Sequence, residues 1–309
     1  MKWKKLGKIF CADNNSDLMI TGGRTPVAQN VEGDLFKIYY AAYDIKMRGK
    51  IYALYININE PNTIQKLVLD PIIDKGDIGF FDDNGIIPSS IVIYNNSIFL
   101  YTCGFSVKNK IIFDSATGLA ISKDNGKTFM KIHGPVMDRT IYDPCFATSP
   151  FVLHDDGIFK AWYVSCDRWE KKEDGGYKHF YNIKYKESKD GIHWNINSRV
   201  AIDYQNEYEY AISRPSVMKD GPDDYKMWYS FRAQPEIEKY RIGYAESTDG
   251  INWTRKDELM KHFDVSEKGW DSEMVCYPYV FDHKGRRYML YNGNHYGKTG
   301  FGLAILEDE

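Results

Sequence analysis

The chain has 309 residues and a formal net charge of −3, so it has no long-range electrostatic attraction to nucleic acid or to an anionic membrane. Hydrophobic residues make up 43% of the sequence, which is enough for a sizeable core, but no segment is long and apolar enough to predict insertion into a membrane. The five cysteines form no CxxC pair, and the basic N-terminal segment lacks the apolar run of a secretion signal. We therefore expect a reduced, cytoplasmic protein without a nucleic-acid partner.

The first predicted strand is WKKLGKIF, at Trp3–Phe10, and it precedes five copies of a longer sequence unit. Each copy starts at a proline, continues through an alternating apolar strand and a turn, and ends in an aromatic strand. The prolines lie 62 to 65 residues apart, and an aromatic residue follows each one by thirteen positions. In chain order they are Pro26, Pro88, Pro150, Pro215 and Pro278. This period predicts an all-β fold, a five-bladed β-propeller with four-stranded antiparallel blades.

A second motif follows the aromatic strand in the three middle copies. It reads ISKDNGKTF at residues 121–129, ESKDGIHW at 187–194 and ESTDGINW at 246–253, and the first of these also fits the Asp-box pattern S-x-D-x-G-x-T-aromatic. Asp and Gly favour a tight turn, and an aromatic residue starts the next strand. We interpret Asp124, Asp190 and Asp249 as structural turn residues at the blade periphery. Trp162 and Trp228, on the aromatic strands, are interpreted as core residues.

The last copy lacks its fourth strand, because the sequence stops at GFGLAILEDE. Trp3–Phe10 resembles the missing strand, so we predict that it pairs beside residues 300–306 and closes the ring. Closure would remove the open edges of the sheets. Residues 1–309 are then expected to form a single domain.

Charged residues cluster just before the repeat prolines, where the inner strands of a propeller would begin. Every one of the five segments contains them, and they are Arg24, Asp82, Asp83, Asp143, Glu209, Arg214, Asp271 and Glu273. Since these segments would face a common axis, we predict a polar axial binding site. The segments after the second strands add further substrate-binding candidates, which are Arg168, Trp169, Arg232, Asn292, Asn294 and His295.

Five stretches carry a resemblance to a known superfamily, and they read FFDDNGIIPSS, SRPSV, KMWYSFR, GWDSEMVCYPYVF and LYNGNHYGKTGFGLA. Together with the repeat they make the chain resemble the five-bladed glycoside hydrolases of families 32, 43, 62, 68 and 130. The chain is most similar to bacterial family-32-like proteins that accompany surface-polysaccharide biosynthesis. The resemblance implies a carbohydrate-active enzyme, either a hydrolase, a phosphorylase or a transferase.

The sequence departs from this superfamily at the position of the catalytic base. In family 43 the base stands directly before a blade-opening proline, whereas here the residues before the repeat prolines are Thr25, Ile87, Ser149, Arg214 and Tyr277. We therefore predict that Asp83, Asp143 and Glu273 face one another across the axis as acid, base and pKa modulator.

Two arginines point to an anionic or phosphorylated sugar. Arg24 and Arg214 could hold a phosphate or carboxylate in two-pronged hydrogen bonds. In the alternative, each arginine pairs with Asp143 or Glu209 and only holds the blades together.

Three functions therefore stay open. The first is an enzyme acting on an anionic glycan in surface-polysaccharide metabolism, and the second is a non-catalytic sugar-binding accessory protein. The third, an interaction scaffold, is disfavoured because the charge is concentrated at the axis. The expected partner is a carbohydrate or sugar phosphate. The sequence contains no HExxH motif and no phosphate-binding loop, and its seven histidines are scattered, so we assign no metal and no cofactor.

Overall fold

The computed structural model describes residues 1–235 and 237–307, and it is built almost entirely from β-strands. The strands form antiparallel groups in chain order, and each group contains one copy of the sequence repeat. The first group comprises β2 (Ala12–Ser16), β3 (Met19–Glu32), β4 (Leu35–Tyr43), β5 (Gly49–Asn57) and β6 (Ile64–Leu67). The second comprises β7 (Gly85–Tyr94), β8 (Ser97–Ser106), β9 (Asp114–Ser122) and β10 (Met130–Lys131).

The next two groups repeat this four-strand order. The third comprises β11 (Phe146–Asp155), β12 (Ile158–Lys171), β13 (Tyr177–Ser188) and β14 (Arg199–Ile202). The fourth comprises β15 (Glu209–Gly221), β16 (Asp224–Ala233), β17 (Ile237–Ser247) and β18 (Thr254–Arg255). Two short helical turns lie at Asp257–Met260 and Asn294–Gly297. No helix in the described part of the chain is long and apolar enough to cross a bilayer.

The last group contains strands from both ends of the sequence. It comprises β19 (Cys276–His283), β20 (Arg286–Asn292), β21 (Phe301–Leu306) and, at its outer edge, β1 (Trp3–Phe10). The pairing is antiparallel, with Trp3 opposite Leu306 and Phe10 opposite Phe301. The predicted pairing of the N-terminal strand with residues 300–306 is therefore confirmed.

The repeated turn motifs join neighbouring groups. In each motif a serine hydroxyl accepts a hydrogen bond from the glycine N–H, and the aspartate accepts hydrogen bonds from backbone N–H groups within the turn. The glycine carbonyls then accept hydrogen bonds from the preceding group: Tyr101 donates to Gly191 at 2.8 Å, and Trp162 donates to Gly250 at 2.7 Å. The interpretation of these motifs as structural turns is confirmed.

Large aromatic side chains fill the core between the groups. Trp162 and Trp228 are fully buried, as predicted. Trp228 meets Trp3 of the N-terminal strand edge to face, with 5.9 Å between ring centroids. Aromatic burial of this kind stabilises sheets that pack face to face and keeps the first strands of the groups in place.

Candidate functional site

A cavity of about 320 Å³ opens among the first strands of the groups. Each first strand contacts the next one in the order β3, β7, β11, β15 and β19, and β19 contacts β3. We call this space the axial cavity. Its lining includes the residue that stands directly before every repeat proline, namely Thr25, Ile87, Ser149, Arg214 and Tyr277.

The pairing register shifts close to the repeat proline in all five first strands. In β3, β11, β15 and β19 the shift includes the residue before the proline, and in β7 it lies between Pro88 and Ser90. Four of the residues before the prolines, Thr25, Ser149, Arg214 and Tyr277, have φ between 50° and 58°. Such values are uncommon for residues other than glycine, and they often occur at functional sites. Proline has no N–H to donate to a neighbouring strand, and it is tolerated at a bulge because the ladder of hydrogen bonds is already interrupted there.

Arg214 carries a positive charge deep in the axial cavity. Its side chain donates hydrogen bonds to the carbonyl oxygens of Pro88, at 2.9 Å, and Ser89, at 3.3 Å, and the residue is only 4% exposed. Burial lowers the pKa of Arg214 to about 10, so the guanidinium keeps its charge at neutral pH. Its hydrogen-bond partners are carbonyl groups, and the alternative in which Arg214 pairs with Asp143 or Glu209 is wrong.

Both of those carboxylates have other partners. Asp143 is fully buried and accepts hydrogen bonds from Tyr163, at 2.9 Å, and Lys186, at 3.2 Å. Glu209 accepts two hydrogen bonds from Arg255, at 2.6 and 2.8 Å. These ion pairs hold the sheets together away from the axial cavity, and neither carboxylate balances the charge of Arg214.

Two further arginines line the axial cavity. The Arg24 guanidinium lies 4.4 Å from the centroid of the Tyr43 ring, and Nε of Arg24 has no hydrogen-bond partner among the residues described. Arg232 donates to the hydroxyls of Tyr181, at 3.3 Å, and Tyr296, at 3.2 Å. Nε of Arg232 is likewise buried and without a partner in residues 1–235 and 237–307. Both guanidinium groups thus contact tyrosine side chains, and neither forms an ion pair with a described carboxylate.

Hydroxyl and aromatic side chains make up much of the remaining lining. The hydroxyl-bearing residues from the strands are Thr25, Ser115, Thr148, Ser149, Ser213, Tyr43, Tyr181, Tyr240 and Tyr277. No aspartate or glutamate in the described part of the chain lines the axial cavity. Its net character is cationic and rich in neutral donors, which suits an oxyanion more than a cation.

The structure does not bring the three proposed catalytic carboxylates together. Asp83 accepts a hydrogen bond from a backbone N–H of its own surface turn, at 3.0 Å. Asp143 lies in the buried ion pair described above, and Glu273 is half-buried and forms an ion pair with Lys239. Since none of the three lines the axial cavity, the predicted arrangement of acid, base and modulator is corrected. Their side chains are engaged in folding contacts.

Two other predicted acidic residues are buried in ion pairs. Asp82 pairs with Lys131 at 2.7 Å, and Asp271 pairs with Lys5, also at 2.7 Å. Asp271 also accepts a hydrogen bond from the Tyr291 hydroxyl at 3.2 Å. Neither carboxylate lines the axial cavity, so the structure gives them a role in linking strands and loops.

Asn292 and Asn294 bind backbone groups beside the axial cavity. Asn292 is fully buried and accepts a hydrogen bond from the Thr25 N–H at 2.7 Å, which fixes the bulge of β3. Asn294 accepts a hydrogen bond from the N–H of Glu273 at 2.7 Å. His295 has a 60% exposed side chain and lies 3.9 Å from the Glu273 carboxylate. These three residues surround the cavity without lining it.

Arg168 and Trp169 lie on the extension of β12. The Arg168 side chain is 52% exposed, bonds to Glu170 at 2.7 Å and lies 3.7 Å from the centroid of the Phe180 ring. Trp169 stacks on His179, with 4.5 Å between ring centroids. His179 does line the axial cavity, so Trp169 supports the wall from behind.

Several lining residues were missed in the sequence, notably His179, Tyr181, Tyr240 and Tyr296. The signal for two of them was alternation along β13, because His179 and Tyr181 are two residues apart and share one face of the strand. Burial, together with nearby Arg232, lowers the pKa of His179 to about 4, so its imidazole is neutral at neutral pH. The described residues contain no cluster of three or more His, Cys, Asp or Glu side chains suited to a metal ion.

A second depression, of about 580 Å³, lies beside Ile237–Ser247 and the Asp257–Met260 turn. Two of its cations form ion pairs there: Lys239 pairs with Glu273, and Arg241 pairs with Asp264 at 2.6 Å. The arginines of the axial cavity form no such pair with any described carboxylate, so the axial cavity is the stronger candidate for a ligand site.

Comparison with known proteins gives two relatives of the same length. The uncharacterized proteins Rv1502 and MT1551 of Mycobacterium tuberculosis are each 36% identical to this chain over 310 residues, covering all of both sequences. No family model matches the sequence.

Solved structures with a similar fold include glycoside hydrolases. A glycosyl hydrolase from Bacteroides ovatus is 12% identical with a TM-score of 0.73, and the match covers 99% of this chain and 94% of that one. A thermostable family-43 glycoside hydrolase is 19% identical with a TM-score of 0.66, covering 96% and 93%. The GH32 β-fructofuranosidase of Bombyx mori is 13% identical with a TM-score of 0.60, covering 93% and 60%. The chain thus has the propeller-like fold of these hydrolases.

Proposed function

The chain belongs to the family of the Mycobacterium tuberculosis proteins Rv1502 and MT1551, and for it we propose a carbohydrate-active function on an anionic or phosphorylated sugar. The ligand binds in the axial cavity. The observation that carries this proposal is the set of three cavity arginines, Arg24, Arg214 and Arg232, in a lining without a described carboxylate.

A buried cation without a counter-charge is unfavourable, because burial removes its hydration. At Arg214 two carbonyl groups replace part of that hydration, but they bring no negative charge. An anionic ligand would supply it. Guanidinium groups bind phosphate and carboxylate oxygens through parallel N–H donors, and Arg24 and Arg232 add two such groups to the lining of the axial cavity.

The rest of the ligand is proposed to be a sugar. Hydroxyl side chains around the cavity can bind sugar hydroxyls, and the tyrosine rings offer faces on which a pyranose can pack. A volume of about 320 Å³ accommodates a small ligand and excludes a long polymer. The shared fold with glycoside hydrolases supports a carbohydrate ligand.

We propose that the five strand groups are the blades of one five-bladed propeller spanning residues 1–309, with β1 closing the ring. We also propose a cytoplasmic role in surface-polysaccharide metabolism, with a sugar phosphate as partner and no nucleic acid. The resemblance noted in the sequence supports that role, and the five free thiols fit a reducing compartment.

A second candidate is a sugar-binding accessory protein without turnover. It is favoured by the dispersal of Asp83, Asp143 and Glu273, since glycoside hydrolysis by the usual route needs two carboxyl groups at the bound sugar. Incubation with glucose 1-phosphate and nucleotide sugars, followed by product analysis, separates a binder from an enzyme.

Calorimetric titration tests the binding site itself. Wild-type protein should bind glucose 1-phosphate at least about tenfold more tightly than glucose, because only the phosphate engages the arginines. Arg24→Lys keeps the charge but loses the paired donors, and it should weaken glucose 1-phosphate binding about tenfold. Arg168→Lys is the matched control, because Arg168 lies outside the cavity, and it should leave the affinity unchanged. Equal affinity for both ligands would contradict the anion site.

A further inference from the structure

A group of three side chains meets at one oxygen on the wall of the axial cavity. Nη2 of Arg232 lies 3.3 Å from Oη of Tyr181, and the Tyr240 hydroxyl forms a short hydrogen bond with the same oxygen. Tyr181 and Tyr240 are 5% and 1% exposed, and all three side chains line the cavity.

The direction of these hydrogen bonds follows from the chemistry of the partners. Arg232 can only donate. Either phenol could donate in the hydrogen bond between Tyr181 and Tyr240. We assign the donor to Tyr240, because it is the more deeply buried of the two and Tyr181 is its one hydrogen-bond partner in the described part of the chain. Oη of Tyr181 therefore accepts two hydrogen bonds, and its own proton has no protein acceptor among the residues described. Because Tyr181 lines the axial cavity, we infer that this proton is available to a ligand there.

Two donors, one of them a cation, stabilise negative charge as it develops on Tyr181 Oη. No carboxylate among the described residues lines the axial cavity, and this oxygen is the group in its lining best prepared to react. We propose that Tyr181 is the nucleophile of the axial cavity and attacks the anomeric carbon of a bound glycosyl phosphate. The inference rests on the proposed anionic-sugar function, and it names the substrate class as an activated sugar.

Attack by Tyr181 on a glycosyl phosphate requires no general acid. The bond from Tyr181 Oη to the anomeric carbon forms while the bond from that carbon to the phosphate oxygen breaks, and the electron pair leaves with the phosphate. Arg24 and Arg214 stabilise the departing charge, and the phenolic proton passes to the phosphate. In the second step an acceptor hydroxyl attacks the same carbon, the bond to Oη breaks, and the acceptor proton returns to Tyr181.

A phosphate leaving group explains the composition of the cavity. Phosphate departs as a stable anion, whereas an ordinary glycoside needs a carboxylic acid to protonate its leaving oxygen. The cavity supplies cations for the first kind of leaving group and, among its described lining, no acid for the second.

The test uses 4-(fluorosulfonyl)benzoate, whose carboxylate is attracted to the arginines and whose sulfonyl fluoride reacts with nucleophilic phenols. Reaction forms the bond from Tyr181 Oη to sulfur, releases fluoride, and gives the phenolic proton to solvent. Intact-mass spectrometry should show one label, and peptide mapping of the wild-type protein should place it on Tyr181. Saturating inorganic phosphate should slow labelling at least about tenfold by occupying the arginines.

Variants separate a reactive Tyr181 from general surface labelling. Tyr181→Phe should lose the label, and Tyr208→Phe, which removes a 48% exposed phenol outside the cavity, should keep it. Tyr240→Phe should slow labelling of Tyr181 several-fold, because one of the two donors is lost.

Labels on exposed tyrosines with none on Tyr181 in the wild-type protein would overturn the assignment. If glucose 1-phosphate still binds in calorimetry in that case, only the nucleophile is wrong and the proposed function stands. If glucose 1-phosphate does not bind and phosphate gives no protection, the proposed function fails as well.

Discussion

At the scale of single residues, the behaviour of the axial cavity depends on arginines that form no ion pair with a carboxylate in residues 1–235 and 237–307. Arg214 reaches across from β15 and binds the carbonyl groups of Pro88 and Ser89, so its charge is fixed in place before any ligand arrives. Fixed charge of this kind lowers the cost of reorganisation on binding. It also makes ligand affinity depend on the protonation of one buried group.

That dependence gives a pH prediction. Burial lowers the pKa of Arg214 to about 10, so the cation is fully present at pH 7 and is lost as the pH rises through about 10. Glucose 1-phosphate stays doubly charged above neutral pH, since the second pKa of a phosphate monoester is about 6. Its affinity should therefore be flat from pH 7 to about 9 and fall at higher pH, measured by calorimetry. A steady decline that begins near pH 7 would point to a different titrating group.

Tyr277 shows how the residue before a repeat proline serves two purposes. Its positive φ bends β19 towards the axis, and its ring lies 5.8 Å from the guanidinium carbon of Arg214. Burial raises the pKa of Tyr277 well above its usual value, so this phenol stays neutral beside the cation. The charge and the ring beside it are thus placed by equivalent positions in two adjacent copies of the repeat.

At the scale of the elements, the turn motifs depend on glycines that both adopt positive φ and receive a neighbouring aromatic side chain. Gly191 has φ of 75°, and a Cβ added there would lie 2.7 Å from Oη of Tyr101. Gly157, in the turn between β11 and β12, has nearly the same φ of 76° but nothing within 4 Å.

These two glycines separate backbone strain from packing. Gly157→Ala should lower the free energy of unfolding by about 1 kcal/mol, because alanine is strained in the left-handed conformation and its methyl group meets no neighbour. Gly191→Ala should cost about 2 to 4 kcal/mol, because the added methyl group also displaces Tyr101. Denaturant unfolding of both variants measures the difference. Equal losses would show that the turn does not dock against the neighbouring group as tightly as the distance indicates.

The elements were predictable from the sequence because each follows a short-range rule. The Asp-Gly turns depend on residues that are close in the chain. The proline period, and the missing fourth strand of the last copy, can be recognised because the sequence unit repeats regularly. The site was predicted only in part, since Arg24, Arg214 and Arg232 line the cavity but Asp83, Asp143 and Glu273 do not. A carboxylate before an inner strand can turn inward or bind a lysine on the neighbouring strand, and sequence spacing does not distinguish these outcomes. Lys186, which forms the ion pair with Asp143, lies 43 residues from it in the sequence.

At the scale of the whole molecule, many carboxylates are held ionised by local hydrogen bonds and ion pairs. Burial alone would raise the pKa of Asp155, but Lys160, Lys219 and the Tyr225 hydroxyl lower it to about 2. At Asp249 burial has the same opposing effect, and the N–H and side chain of Asn252 bring the pKa to about 2. Both values lie below the value of about 3.9 expected for an unfolded aspartate.

The molecule should therefore lose stability in acid. A group whose folded pKa is depressed contributes stability above its unfolded pKa, and that contribution disappears as the pH falls through the folded value. We expect the free energy of unfolding to be constant near neutral pH and to fall between about pH 4 and about pH 2, as measured by denaturant titration at several pH values. Asp249→Asn should lower stability at neutral pH and reduce the further loss in acid. A variant with an unchanged acid profile would assign the transition to other carboxylates.

The N-terminal strand links the two ends of the sequence, and its contribution can be measured at one residue. Trp3 is 6% exposed and packs on Trp228 of the fourth group while its strand pairs with β21 of the last group. Trp3→Ala should therefore cost about 3 kcal/mol or more, because it removes a buried ring between two groups. Lys8→Ala, at an exposed position of the same strand, should change stability by less than about 0.5 kcal/mol. If the first strand closes the ring, the Trp3→Ala variant should also unfold in a single transition at a lower denaturant concentration. The reason is that the last group would lose its outer strand and its contact with the fourth group together. A separate early transition that leaves the rest of the molecule at wild-type stability would show that β1 is only an appended edge strand, and the closure would have to be abandoned.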